Sequence, residues 1–116
     1  MAEAQPRRAP VLVFVVLLVA QLAALYWPRV DLQGPVTWSD KVMHVLLFLA
    51  PTVAGLLAGL RPAYLVGLLA LHAPVSELVQ HYLLPNRSGD AWDAVADLCG
   101  VVLGVTLVLV GRALRR

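Results

Sequence analysis

Four long apolar segments divide this chain, and they constrain its fold more than any other feature. They cover residues 11–27, 40–60, 62–82 and 90–114. A helix rises about 1.5 Å per residue, so segments of this length are close to what a crossing of the hydrocarbon layer requires. The 116-residue chain is 60% hydrophobic and 14% charged, whereas soluble domains are roughly half apolar and one quarter charged. The sequence therefore predicts a single-domain, all-α membrane protein, a four-transmembrane-helix bundle over residues 1–116.

The first segment has a second interpretation, because a basic start followed by an apolar core also suits a signal peptide. Arg7 and Arg8 precede the segment, but no clean A-x-A cleavage site stands before a soluble domain. More apolar sequence follows instead, so a spanning helix is favoured. Gln21 interrupts this helix and is expected to form a hydrogen bond to another helix.

The distribution of basic residues predicts the orientation. Four crossings place both termini and the turn after the second helix on one side of the membrane. The basic residues of that side are Arg7, Arg8, Arg61, Arg112, Arg115 and Arg116. Those of the opposite side are Arg29, Lys41 and Arg87. Positive residues favour the cytoplasmic side, so both termini are predicted to be cytoplasmic in a multi-pass protein of the cell membrane.

Aromatic residues support this orientation. The positions of the basic residues also indicate which kind of partner the protein binds. Five aromatic residues lie at the outer ends of the segments, as expected for an interfacial belt: Tyr26, Trp27, Trp38, Tyr82 and Trp92. The arginines are concentrated near the chain ends and form no basic, aromatic-interleaved surface. The lipid bilayer is therefore the expected partner, and nucleic acid is not.

The outer halves of the second, third and fourth segments carry the polar residues of the spans. Asp93 and Asp97 are four residues apart and share a helix face, as do Asp40 and His44. Ionisable groups at membrane depth are costly unless they face one another, so the sequence predicts one polar cluster near the outer surface. The candidate ligand-binding residues are Asp40, Lys41, His44, Glu77, Gln80, Arg87, Asp90 and Asp93.

Glycines extend the acidic face of the fourth helix. Gly100 and Gly104 continue the face of the two aspartates as a small-xxx-small stripe, which allows a neighbouring backbone to come close. Gly55 and Gly59 predict a second stripe of this kind in the second helix. Cys99 is expected to be a small buried apolar residue rather than a reactive one.

In chain order, these residues form a pattern of four motifs. The motifs are Asp40-Lys41-x-x-His44, Glu77-x-x-Gln80, Arg87-x-x-Asp90 and Asp93-x-x-x-Asp97-x-x-Gly100-x-x-x-Gly104. The pattern resembles that of VanZ-like membrane proteins and spans residues 39–104. One departure is Asp97, where such proteins often have Asn, and it adds a potential charge. The resemblance implies a small helical membrane protein associated with glycopeptide (teicoplanin-type) antibiotic resistance.

Three functional interpretations compete for the predicted cluster. The favoured one is binding of a lipid-linked cell-envelope intermediate or a cell-wall ligand such as a glycopeptide, with Lys41 and Arg87 supplying positive charge to a phosphate. The second is a membrane-embedded hydrolase acting on a lipid-linked phosphate, and the third is a purely structural cluster. The catalytic candidates for the hydrolase are His44, Glu77, Asp93 and Asp97. Its metal-ligand candidates are Glu77, Asp93 and Asp97.

Overall fold

The computed structural model describes residues 8–26, 38–84 and 91–116, and the side chains of these residues except 38–40. The described residues form four helices, in agreement with the predicted all-α class. They are α1 (Arg8–Tyr26), α2 (Trp38–Leu57), α3 (Pro62–Tyr82) and α4 (Ala91–Leu114). Helices α1, α3 and α4 are long and apolar enough to cross a membrane, whereas the apolar part of α2 is the shorter stretch Lys41–Leu57. The chain is therefore a multi-pass, all-helical membrane protein.

Helix α2 ends at Leu57, three residues before the predicted end at residue 60. Gly59 adopts a left-handed conformation with φ of 87°, which glycine reaches without steric penalty. The amide of Leu60 then donates to the Gly55 carbonyl, and the amide of Gly59 donates to the Leu56 carbonyl. These two bonds form a Schellman motif, which closes the end of the helix. The prediction that Gly59 belongs to a packing stripe is therefore wrong, because this glycine ends the helix instead.

The four helices run alternately up and down. Lys41 of α2 contacts Asp93 of α4 near the first residues of both helices, so α2 and α4 are parallel. Helix α1 runs antiparallel to α2: Gln21, late in α1, reaches Leu47 in the first half of α2. The end of α3 meets the end of α1, where Gln80 donates a hydrogen bond to a carbonyl of α1. One end of the bundle thus gathers the last turns of α1 and α3 and the first turns of α2 and α4.

Two glycines of α4 bring it into backbone contact with α2. A Cβ atom added to Gly100 would lie 2.3 Å from the carbonyl oxygen of Val45, and one added to Gly104 would lie 2.8 Å from Cβ of Thr52. Real Cβ atoms do not approach backbone oxygen so closely, so only glycine permits this spacing at position 100. The predicted glycine stripe of α4 is confirmed, and the helix that it approaches is α2.

A proline and a glutamine together attach α1 to α2. Pro51 lies inside α2 and has no amide hydrogen, so the carbonyl of Leu47, four residues earlier, lacks its usual helical donor. The side-chain amide of Gln21 donates a hydrogen bond of 2.9 Å to this carbonyl. Gln21 is fully buried, and the predicted interhelical hydrogen bond is confirmed. Helix α1 is thereby an integral part of the bundle.

The outward faces of the helices are apolar. Most of the exposed large hydrophobic side chains are leucine or valine, as expected for surfaces that face lipid. Cys99 lies on such a face and is exposed, so the prediction that it is buried is wrong. In a membrane protein an apolar residue is as well accommodated against lipid as in the core, and hydrophobicity alone does not assign Cys99 to either environment.

Candidate functional site

Five ionisable side chains meet at the end of the bundle where α2 and α4 begin. We call them the polar centre, and they are Lys41, His44, Glu77, Asp93 and Asp97. They come from α2, α3 and α4, the three helices predicted to supply the cluster. Four of them are buried, and the side chain of Lys41 is 22% exposed. Lys41 therefore forms the accessible edge of the polar centre.

Two contacts join α2 to α4 within the polar centre. The ammonium group of Lys41 forms an ion pair with the carboxylate of Asp93. One turn deeper, Nδ1 of His44 lies 2.7 Å from Oδ1 of Asp97. The other ring nitrogen, Nε2, lies 3.8 Å from Oδ2 of Asp93. The imidazole of His44 is thus held between two carboxylates, one facing each ring nitrogen.

Helix α3 brings a third carboxylate to this histidine. Glu77 is 7% exposed, Asp97 is 0% exposed, and His44 is 6% exposed. One potential metal-ligating atom from each of these three residues lies within 4.8 Å of the other two. We call these residues the ligand triad. Asp93, a predicted metal ligand, lies beside the ligand triad but outside it.

The local sequence explains why these side chains converge. Lys41 and His44 are three residues apart in α2, and Asp93 and Asp97 are four apart in α4, so each pair shares one helix face. Because α2 and α4 are parallel and close, the two pairs match in register. Gly100 permits this approach less than one turn beyond Asp97, where it packs against the backbone of α2. The glycine contact therefore positions the carboxylates above it.

The polar centre contains more acidic than basic groups. Among the side chains that the structure describes there, three carboxylates face one lysine and one histidine. With a neutral imidazole these groups sum to two negative charges, and with an imidazolium to one. Charge in an apolar interior is unfavourable unless it is paired, as the carboxylate of Asp93 is with the ammonium group of Lys41.

A second polar arrangement, the hydrogen-bond chain, lies next to the polar centre and links α1, α3 and α2. The hydroxyl of Tyr26 lies 2.7 Å from Nε2 of His72, and Nδ1 of His72 lies 3.1 Å from Oε1 of Gln21. The amide group of Gln21 donates to the Leu47 carbonyl, so its oxygen must accept from Nδ1–H of His72. Nε2 of the neutral ring then accepts from Tyr26. His72 is therefore a contact residue between helices α3 and α1.

The sequence did not anticipate the role of Tyr26. This residue was predicted to belong to an interfacial belt, but its hydroxyl is directed into the bundle and bonded to His72. A spacing pattern within one segment could not reveal this contact, because Tyr26 and His72 are 46 residues apart.

The other four predicted ligand-binding residues are not part of the polar centre as the structure describes it: one makes a different contact, and three cannot be placed. Gln80 is buried, and its side-chain amide donates a hydrogen bond of 2.7 Å to the Leu25 carbonyl, which ties α3 to α1. Arg87 and Asp90 lie outside the described residues, as does the side chain of Asp40. The assignment of Asp40, Arg87 and Asp90 to the site stays a prediction.

The fold and the polar centre together define a class, a multi-pass helical membrane protein with a buried group of ionisable residues at one end of the bundle. Comparisons of the chain with protein-family models, with curated proteins and with solved structures found no match. The residues of the polar centre and their geometry are therefore the guide to the function of the protein.

Proposed function

We propose that this chain is a VanZ-like integral membrane protein whose polar centre binds a polar ligand of the cell envelope. The ligand is the phosphate or head group of a lipid-linked intermediate, or a cell-wall ligand, and its binding links the protein to glycopeptide resistance. The observation that carries the proposal is the gathering of five ionisable side chains inside a bundle with apolar outer faces. Ionisable residues within membrane segments are costly to maintain and by default indicate a functional site.

The chemistry of the polar centre suits such a ligand. Lys41 is its accessible cation, and it lies near the start of α2, where a head group would meet the protein. The sequence adds Arg87, whose planar guanidinium can hold a phosphate through two hydrogen bonds. The carboxylates behind Lys41 can accept hydrogen bonds from hydroxyl or amide groups of a sugar or peptide ligand.

The proposal includes an orientation. All four helices cross the cytoplasmic membrane, both termini are cytoplasmic, and the polar centre opens to the outside. Cysteine labelling tests this after replacement of Cys99 by Ala. Single cysteines at Gly34 and Gly89 should react with an impermeant reagent in intact cells, whereas cysteines at Arg61 and Arg116 should not. Labelling at position 61 would overturn the orientation.

The ligand itself is tested by purifying the full chain in detergent and identifying retained lipids by native mass spectrometry. The key variant is Lys41→Met combined with Asp93→Leu, which removes both charges of the ion pair. Replacing a buried ion pair with apolar residues is often neutral or stabilising, so the double variant should fold. We expect wild type to retain a phosphate-bearing polyprenyl lipid and the double variant to lose most of it.

The same experiment tests the purely structural interpretation of the polar centre. If the ion pair only fixes the register of α2 and α4, the double variant should retain the same lipids as wild type while it melts at a similar or higher temperature. Equal retention of the polyprenyl lipid by the two proteins would therefore contradict the proposal.

A second candidate function, a hydrolase of lipid-linked phosphates, is favoured by the contact of 2.7 Å between His44 and Asp97. A carboxylate that orients an imidazole is the arrangement in which histidine removes a proton from an attacking water. Water would attack phosphorus, the phosphorus–oxygen bond to the leaving group would break, and His44 would take the proton.

Release of inorganic phosphate from a polyprenyl diphosphate by the full chain tests the hydrolase. His44→Gln should abolish release, and His81→Gln is the matched control, since His81 is exposed and lies outside the polar centre. Absence of release by wild type would exclude this activity on that substrate and leave binding as the function.

A further inference from the structure

We infer that the ligand triad, His44, Glu77 and Asp97, binds a divalent first-row transition ion such as Zn²⁺ or Mn²⁺. One imidazole nitrogen with two carboxylate oxygens is a donor set that such ions accept, and three protein ligands leave a position open for an exogenous ligand. The inference deepens the proposed function and rests on it in one step, in which the phosphate of the head group occupies the open position.

The distances within the ligand triad fit an ion. Bonds from Zn²⁺ to nitrogen or oxygen are about 2.0–2.2 Å, so two donors in a tetrahedral site are roughly 3.4 Å apart. The donor atoms of the triad are at most 4.8 Å apart. Closing around an ion therefore requires movements of roughly 1.4 Å or less in any pair. Side-chain rotation of Glu77 can supply such a movement without displacing its helix, because this side chain has three torsions.

The position of the ligand triad in the bundle also favours an ion. Each donor comes from a different helix, α2, α3 or α4, as in other metal sites built inside helix bundles. Contacts outside the ligand triad hold these helices in place: Gly100 sets the approach of α4 to α2, and Gln80 ties α3 to the Leu25 carbonyl. All three donors are more than nine-tenths buried. The two carboxylates gain most from a cation where water does not solvate them.

Asp93 faces the histidine of the ligand triad without belonging to the triad. If Nδ1 of His44 binds the ion, the ring proton resides on Nε2, which faces Oδ2 of Asp93 at 3.8 Å. Metal-bound histidines usually donate their other ring N–H to a carboxylate, which fixes the tautomer and the ring orientation. Asp93 is thus a positioning residue in this site, and its ion pair with Lys41 holds it there.

Metal binding by the purified chain tests the site directly. The full chain in detergent is treated with a chelator, dialysed, and titrated with ZnCl₂ or MnCl₂ by isothermal calorimetry, with metal content measured by mass spectrometry. We expect one ion per chain. Changing a residue that only supports a ligand lowers affinity about 10- to 100-fold, so His44→Gln, which removes a ligand, should lower it on the order of 100-fold or more.

Matched variants separate this site from adventitious binding. His81→Gln makes the same substitution at an exposed histidine whose ring packs against Tyr82, and it should bind the ion as wild type does. Glu77→Gln removes a ligand from another helix and guards against a folding defect in His44→Gln. Failure of wild type to bind one ion, or wild-type affinity in a folded His44→Gln or Glu77→Gln protein, would overturn the site.

Lipid retention with and without chelator distinguishes this inference from the proposed function. Loss of the polyprenyl lipid on chelation, with recovery when Zn²⁺ or Mn²⁺ is restored, supports both. One bound ion without any retained phosphate lipid would refute the proposed function and leave the metal site standing. Undiminished lipid retention by metal-free protein would instead overturn the step in which the ion holds the phosphate.

Discussion

The pairing of Gln21 with the carbonyl freed by Pro51 makes a quantitative prediction about stability. Gln21→Leu keeps a side chain of similar size but removes the donor to the Leu47 carbonyl, which is 2.9 Å from the side-chain nitrogen. No backbone amide can replace that donor, because residue 51 is proline. The variant therefore leaves a carbonyl group unsatisfied inside the bundle, and the protein should be less stable.

The magnitude follows from the environment of the bond. A buried carbonyl without a partner costs about 1–3 kcal/mol, while hydrogen bonds between membrane helices average about 0.6 and reach about 1.7 kcal/mol. Gln21 is fully buried and also accepts a bond from His72. We therefore expect Gln21→Leu to lower the free energy of unfolding by about 2 kcal/mol.

A double-mutant cycle isolates the part of this loss in unfolding free energy that depends on Pro51. Pro51→Ala restores an amide hydrogen that can bond to the Leu47 carbonyl within α2. In this background Gln21→Leu should cost about 1 kcal/mol less, because only the bond to His72 is then lost. The unfolding free energies can be measured by titrating detergent-solubilised protein with SDS and following helix content by circular dichroism.

Gln80→Leu provides the control for this cycle. Gln80 also donates to a backbone carbonyl, that of Leu25, but this carbonyl lies in the last turn of α1 and its hydrogen bonding does not depend on residue 51. Gln80→Leu should lower the free energy of unfolding by the same amount whether residue 51 is Pro or Ala. Equal costs of Gln21→Leu in the two backgrounds, within about 0.5 kcal/mol, would refute the reasoning.

Two further predictions concern the polar centre and the contact beneath it. Gly100→Leu should separate α2 from α4, lower the melting temperature and weaken metal binding, because even a Cβ atom at this position lies 2.3 Å from a backbone oxygen. Gly111→Leu is the control, with nothing within 4 Å of the added Cβ, and unchanged melting of both variants would contradict the close contact. Glu77→Gln should fold and melt near wild type while lipid retention and the resistance phenotype fall. Loss of function in proportion to loss of folded protein would instead indicate a structural role.

Periodicity and composition were sufficient to predict the helices, because an apolar segment of membrane length has few alternatives to a helix. The spacing of glycines predicted helix-packing contacts less reliably. Gly100 and Gly59 both occur in small-xxx-small spacing, yet the first is a packing contact and the second ends α2 with a positive φ. Spacing cannot separate these uses, because both exploit the missing side chain, one for space and the other for backbone freedom.

The composition of the polar centre was more predictable than its internal contacts. Helical spacing placed Asp93 and Asp97 on one face, and the structure brings that face to Lys41 and His44 of α2. Whether His44 or Asp93 lies with Glu77 and Asp97 in the ligand triad depends on the rotation of α3 relative to α2 and α4. That rotation is set by contacts between residues distant in sequence, and a pattern within one segment carries no information about it.

The two polar arrangements inside the bundle differ in a way that bears on function. In the hydrogen-bond chain, Tyr26 donates to His72, His72 donates to Gln21, and Gln21 donates to the carbonyl that a proline leaves free. Each donor in this chain has one acceptor and no net charge is buried, which is what a structural connection between helices requires. The polar centre instead collects three carboxylates around one lysine and one histidine among the described side chains. Ionisable groups buried inside a membrane bundle are costly to maintain and by default indicate a functional site rather than a packing device.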